Sequence, residues 1–144
     1  MYLPTVNGMR TFDGANALMD LAIASRAAAP TTTNATGVNT SDFGEFVGVL
    51  TIGVLGTATN VQMNLQESDT LAGTYTNIAG ATVNTNLSNT CRVVSVNAKH
   101  PDRKPFMRIQ TVATGNTSTF GAMSMRLSPK AGVISNDTNV VAVY

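Results

Sequence analysis

The stretch Phe46-Val-Gly-Val-Leu-Thr-Ile-Gly-Val-Leu55 constrains this chain more than any other. It is almost continuously apolar, carries two glycines and is rich in β-branched residues. Glycine weakens a helix, whereas valine, isoleucine and threonine fit a pleated surface. The segment therefore reads as a central strand buried on both faces. A second sheet covers one face. The other is covered either by the chain's own N-terminal arm or by a sister subunit.

Downstream, apolar and polar residues alternate with period two. Val61, Met63 and Leu65 alternate with Gln62, Asn64 and Gln66. Val94, Val96 and Ala98 alternate with Val93, Ser95 and Asn97, and Met107, Ile109 and Thr111 with Arg108 and Gln110. Met123, Met125 and Leu127 alternate with Ala122, Ser124 and Arg126. Each reads as a half-buried strand, with Met63, Met107, Met123 and Met125 filling the core. Short strands are expected at 74–78 and 81–83, and 140–144 reads as a last strand or an attachment segment. Turn clusters lie at 68–73 and 115–119, and Pro30–Gly37 reads as a loop. About seven or eight strands at this spacing predict an all-β fold, an antiparallel β-sandwich or jelly-roll-like domain.

That domain is expected over residues 31–128, with an N-terminal arm at 1–30 and a C-terminal segment at 129–144. Within the arm, ANALMDLAIASRAAA (15–29) satisfies two patterns. Leu18, Leu21, Ala22 and Ser25 form one helical face behind an Asp13 cap, while Met19, Leu21 and Ile23 alternate as in a strand. Both readings stay open at this point.

Charge narrows the function classes. Charged residues make up 12% of the chain and the net charge is +1, which excludes a binder that works by neutralising many phosphates. No nucleic-acid partner is expected. No apolar window is long enough for a membrane helix, and residues 1–8 lack the cationic and apolar regions of a secretory signal, so no membrane association is expected. One cysteine, Cys91, and one histidine, His100, exclude an internal disulfide and a His- or Cys-rich metal centre.

The densest group of ionisable residues is Lys99, His100, Asp102, Arg103, Lys104 and Arg108. His100 and Asp102 would orient one another in a catalytic triad, but no nucleophile on a strained turn accompanies them. The group reads instead as a solvated hairpin loop or a basic contact point for a protein partner. Glu67 and Asp69 read as turn residues, too few oxygens for a hard cation. No catalytic residue, cofactor or metal ligand is assigned, and the chain is not expected to be an enzyme.

Four segments carry a resemblance. They are Val61-Gln-Met-Asn-Leu-Gln-Glu-Ser-Asp69, Gly73-Thr-Tyr-Thr-Asn-Ile78, Arg92-Val-Val-Ser-Val96 and Pro105-Phe-Met-Arg-Ile109. Over residues 36–128 the chain resembles a group of small all-β structural proteins of tailed bacteriophages. In that group a strand ending in Gln-Glu-Ser-Asp and an aromatic-x-arginine strand recur. The resemblance implies a virion component made in the host cytoplasm, best matching capsid decoration or cement proteins. These sit on the outer capsid surface, often as trimers, and hold capsomers together. The implied partners are the major capsid protein and further copies of the chain, a trimer before a dimer. The longer N-terminal segment departs from the group and keeps a tail, connector or fibre-base role open.

On this reading Tyr2, Leu3, Arg10 and Phe12 belong to an anchoring arm. Lys99, Arg103 and Lys104 form a polar contact loop, and Val140 and Tyr144 a second arm. A carbohydrate-binding surface module is the alternative of a different class.

Overall fold

The computed structural model describes residues 17–26, 31–57, 59–127 and 140–143. It contains ten strands: β1 (Ala17–Arg26), β2 (Thr31–Asn34), β3 (Val38–Asn39), β4 (Glu45–Leu55), β5 (Asn60–Ser68), β6 (Thr76–Thr85), β7 (Cys91–Asn97), β8 (Phe106–Thr114), β9 (Ser118–Leu127) and β10 (Val140–Val143). Among the described residues no helix is long and apolar enough to cross a membrane.

The strands form two sheets. Sheet A has the order β1-β9-β4-β7-β10; sheet B has the order β2-β8-β5-β6, with β3 also pairing β8. The β5–β6 connection is a hairpin within sheet B, while every other connection from β3 to β9 crosses between sheets. This is a β-sandwich, two sheets closed over one core. All ladders are antiparallel except β10 on β7, which is parallel.

The strand count exceeds the expected seven or eight for local reasons. Residues 17–26 form an edge strand on β9, so of the two readings of this segment the strand is the one realised over them. The threonine-rich loop contributes β2, because threonine suits a sheet edge and β8 offers an open flank. The two short strands expected at 74–78 and 81–83 are one strand, β6, bent at Gly80, whose φ is 78°.

The core lies between the sheets. Phe46, Leu50 and Ile52 of β4 meet Val61, Met63 and Leu65 of β5, with Val94, Val96, Met107, Ile109, Phe120 and Ala122 around them. Gly48 keeps the sheets close: a Cβ there would lie 2.8 Å from Leu65 Cδ2 and 3.1 Å from Met63 Cε. β4 is central, as expected, but buried on both faces only over its first half, after which Thr51 and Val54 are exposed.

One face assignment inverts. Met123 and Met125 were expected inside, but Phe120, Ala122 and Ser124 point inward and the two methionines lie half-buried on the outer face of sheet A. Phe120, 1% exposed, is the largest side chain of β9 and sets the phase; a one-residue change of phase turns every side chain over.

Candidate functional site at one pole of the sandwich

Strand register places several sequence features at one end of the molecule. Glu45 pairs with both Asn97 and Leu127, Ala17 with Met125, and Val143 with Val96. In sheet B, Ser68 pairs with Phe106, and Asn39 also with Phe106. The first residue of β1, the last of β9 and the last of β10 therefore share a pole with loops 40–44, 69–75 and 98–105. The loops at the opposite pole, 56–59, 86–90 and 115–117, contain no Asp, Glu, Lys or Arg.

The basic loop is held down rather than free. Glu67, at the end of β5 with a side chain 12% exposed, accepts from Arg103 Nη1 through Oε1 and from the Lys104 backbone N–H through Oε2, both at 3.2 Å. Lys104 Nζ donates to Asp69 Oδ2 at 2.8 Å. That hydrogen bond raises the Lys104 pKa above its ordinary value; burial opposes the rise, and the charges of Asp69 and Glu67 add to it. Lys99 Nζ donates to the Ser41 carbonyl. The Pro105 carbonyl accepts from Thr40 N at 2.8 Å and from Thr40 Oγ1 at 3.1 Å, fastening loop 98–105 to loop 40–44.

His100 Nδ1 accepts the Asp102 N–H at 3.3 Å, so the lone pair a general base would use is turned to the backbone. Asp102 Oδ2 is 3.6 Å from the same nitrogen and its side chain is 86% exposed. Cys91 starts β7, at the other end of that strand from this loop. Among the described residues no group of three His, Cys, Asp or Glu is placed to hold a metal ion.

The cationic asymmetry of residues 99–108 is thus partly offset in three dimensions. Arg103 and Lys104 find their carboxylates on the β5–β6 hairpin, and Arg108 Nε donates to Gln66 Oε1 at 2.8 Å while its guanidinium stacks 4.2 Å from the Tyr75 ring centre. Burial raises the Tyr75 pKa, partly offset by the Arg108 charge. Arg126 stacks on Phe43 at 4.8 Å and donates to the Asn39 carbonyl at 3.0 Å.

Of the proposed contact residues, Lys99, Arg103 and Lys104 come together at this pole. Val140 opens β10 opposite Val93, at the far end of that short strand. Tyr2, Leu3, Arg10, Phe12 and Tyr144 lie outside the described residues. The role of Glu67 was missed, because a turn acid gives no sign of the loop it will meet 36 residues later.

No protein-family model matches the sequence, and no curated protein matches it. Solved structures do match in shape. PBSX exported protein XepA superposes with a TM-score of 0.59 at 15% identity, covering 96% of this chain and 43% of that one. The chain therefore spans less than half the length of that protein, and the likeness is one of fold. PirA gives a TM-score of 0.48 at 11% identity, covering 74% of this chain and 93% of that one. The structure described as Bacillus endospore appendages, disulfide-linked pili, gives 0.44 at 18% identity, covering 89% and 97%. The last two superpose too loosely to establish a common architecture.

Proposed function

We propose that the chain is a non-enzymatic structural protein of a tailed-phage virion. It would bind the outside of the capsid and brace contacts between capsomers. The observation that carries this reading is the convergence at one pole. The root of the N-terminal segment, the end of β10 and the fastened loop 98–105 all meet there. A rigid sandwich with attachment segments rooted at one end has the form of a clamp, and extended segments bury much area per residue. Arg103 and Lys104 are tied to Glu67 and Asp69, which suits a fixed contact surface better than proton transfer. The partners on this reading are the major capsid protein and further copies of the chain, a trimer being favoured.

The test is to add the purified protein back to shells stripped of it, then follow binding and shell melting. Protein at a hundred times its Kd should stabilise the bound shell by about 2.7 kcal/mol per site. No binding at micromolar concentration overturns the reading. Electron cryomicroscopy of the particle then locates the protein, and density at the tail or portal vertex alone would replace the capsid role with a connector role.

A further inference from the structure

The outer face of sheet B is a lattice of amide side chains. Register lines them up in rows across the strands. One row is Asn34, Gln110, Asn64 and Thr82, from β2 to β6. The row beside it is Thr32, Val112, Gln62 and Asn84; on the other side lie Arg108, Gln66 and Asn77.

The middle row is one directed chain of hydrogen bonds. Thr82 Oγ1 donates to Asn64 Oδ1 at 2.9 Å, Asn64 Nδ2 to Gln110 Oε1 at 3.1 Å, and Gln110 Nε2 to Asn34 Oδ1 at 2.9 Å. Gln62 Nε2 joins it on Asn64 Oδ1 at 2.7 Å. In the third row Arg108 donates to Gln66 and Gln66 Nε2 to Asn77 Oδ1 at 2.8 Å. These bonds fix the rotamers: Asn64 is 2% exposed and Gln66 5%, although both point away from the core.

Counting donors and acceptors leaves a defined surplus. Among the described residues, Gln62 Oε1 accepts nothing. Asn34 Nδ2 and Asn77 Nδ2 donate nothing, Gln110 keeps one N–H, and Asn84 is unengaged. The surplus therefore mixes donors and acceptors on a prearranged surface. The one charge among these rows, Arg108, is already engaged. One apolar side chain of intermediate burial, Val112, adjoins the amides.

We infer that this face binds a neutral glycan. Sugar hydroxyls both donate and accept, so adjacent hydroxyls match an amide carbonyl beside an amide N–H, and the C–H face of a sugar ring suits Val112. The one charge, Arg108, is committed to Gln66 and the Tyr75 ring at the edge of these rows, which leaves a neutral ligand the better match to the amides, and fixed rotamers lower the ordering cost of binding. The middle row spans about 14 Å, three inter-strand spacings, which is longer than one pyranose ring. Oligosaccharides should therefore bind more tightly than their monosaccharides. The rows that carry the surplus, through Gln62 and Gln110, lie away from the loops of the pole, so the inference stands or falls apart from the capsid reading.

The experiment titrates the isotope-labelled full chain with cellohexaose, maltohexaose and mannohexaose and follows side-chain amide resonances. The expected result is saturable shifts of Asn34, Gln62, Asn84 and Gln110 with at least one sugar by about 10 mM, tenfold above a weak millimolar Kd. The Gln62→Ala/Gln110→Ala double variant should lose affinity at least tenfold, while Val54→Thr at the opposite pole keeps it. Because the wild-type titration is a readout of its own, a misfolded double variant does not rescue the idea. No shifts with any of the three, shifts elsewhere on the surface, or broadening of this face by self-association without sugar would each overturn it.

Discussion

Glu67 holds loop 98–105 against sheet B, and removing it gives the sharpest test of how the pole is built. Glu67→Ala deletes the acceptor of the Arg103 guanidinium and of the Lys104 backbone N–H. The two ionised side chains are 12% and 14% exposed, so water replaces the lost partner only in part. An exposed pair would be worth up to about 1 kcal/mol, and breaking a fully buried one costs about 3–5 kcal/mol. Two charge-assisted hydrogen bonds at this intermediate burial place the loss at about 2–3 kcal/mol. For a domain of this size that lowers Tm by about 10 °C. Glu67→Gln keeps one carbonyl acceptor and should lose about half as much. Urea unfolding measures each variant, and a cycle with Arg103→Ala isolates the pair, whose coupling should be about 1–2 kcal/mol. A loss under about 0.5 kcal/mol for Glu67→Ala would refute the latch and return the loop to a solvated hairpin.

Four further outcomes are expected. Gly48→Val should destabilise by about 3 kcal/mol and Gly48→Ala by about 1, by forcing Leu65 and Met63 apart; equal urea midpoints would refute the close approach of the sheets. Stability should fall in alkali. The raised Lys104 pKa contributes stability that is complete below 10.5 and is lost as pH rises through the folded-state value. Tyr75 likewise keeps its proton longer in the fold than the ordinary 10.0, so its contribution has the same sign, and unfolding midpoints between pH 9 and 11.5, about the range of both groups, check this. Deleting residues 1–12 should weaken attachment to shells while leaving the β-domain folded by circular dichroism; loss of the fold would make that segment part of the core. Because Arg103 and Lys104 are paired with Glu67 and Asp69, attachment through them should change only modestly between about 0.05 and 0.3 M salt, and a steep salt dependence would show these pairs opening at the contact.

The two-sheet architecture was legible because period-two alternation reports burial directly, and Val61, Met63, Leu65, Met107 and Ile109 all sit where the pattern puts them. The phase of β9 was not, because methionine and alanine are nearly equivalent on a hydropathy pattern and only the packing of Phe120 separates the faces. The edge strand β2 was hidden by a composition that serves loops and edges alike. At the candidate site the loop was visible as a cluster of charge, but its partial neutralisation was not. The acids that offset it come from another hairpin, and partners distant in sequence follow from topology, not from local composition. The amide rows illustrate the same limit. Gln62, Asn64 and Gln66 announced a polar face, while Asn34, Gln110 and Thr82 joined it only once β2, β8 and β6 took their places.

The two poles differ in a way that bears on the proposed role. One carries interlocked acids and bases; at the other, where Arg26 ends β1 opposite Ser118, the loops 56–59, 86–90 and 115–117 hold no charged residue, and Val54 and Leu87 are exposed. If the charged pole grips a shell, the pole with the uncharged loops points outward and is repeated at every lattice site. Like charges repeated there would repel across neighbouring copies, whereas neutral hydroxyls and amides remain hydrated without that penalty. Placing charge on the outward loops then gives a direct comparison. Ser88→Glu, together with Thr57→Glu, changes nothing at the gripping pole, so a single copy should bind an otherwise empty shell as before. Occupancy of the last sites should fall at low salt and recover at high salt. If the variant instead fails at the first sites, the outward assignment is reversed and the pole with the uncharged loops is the one that grips.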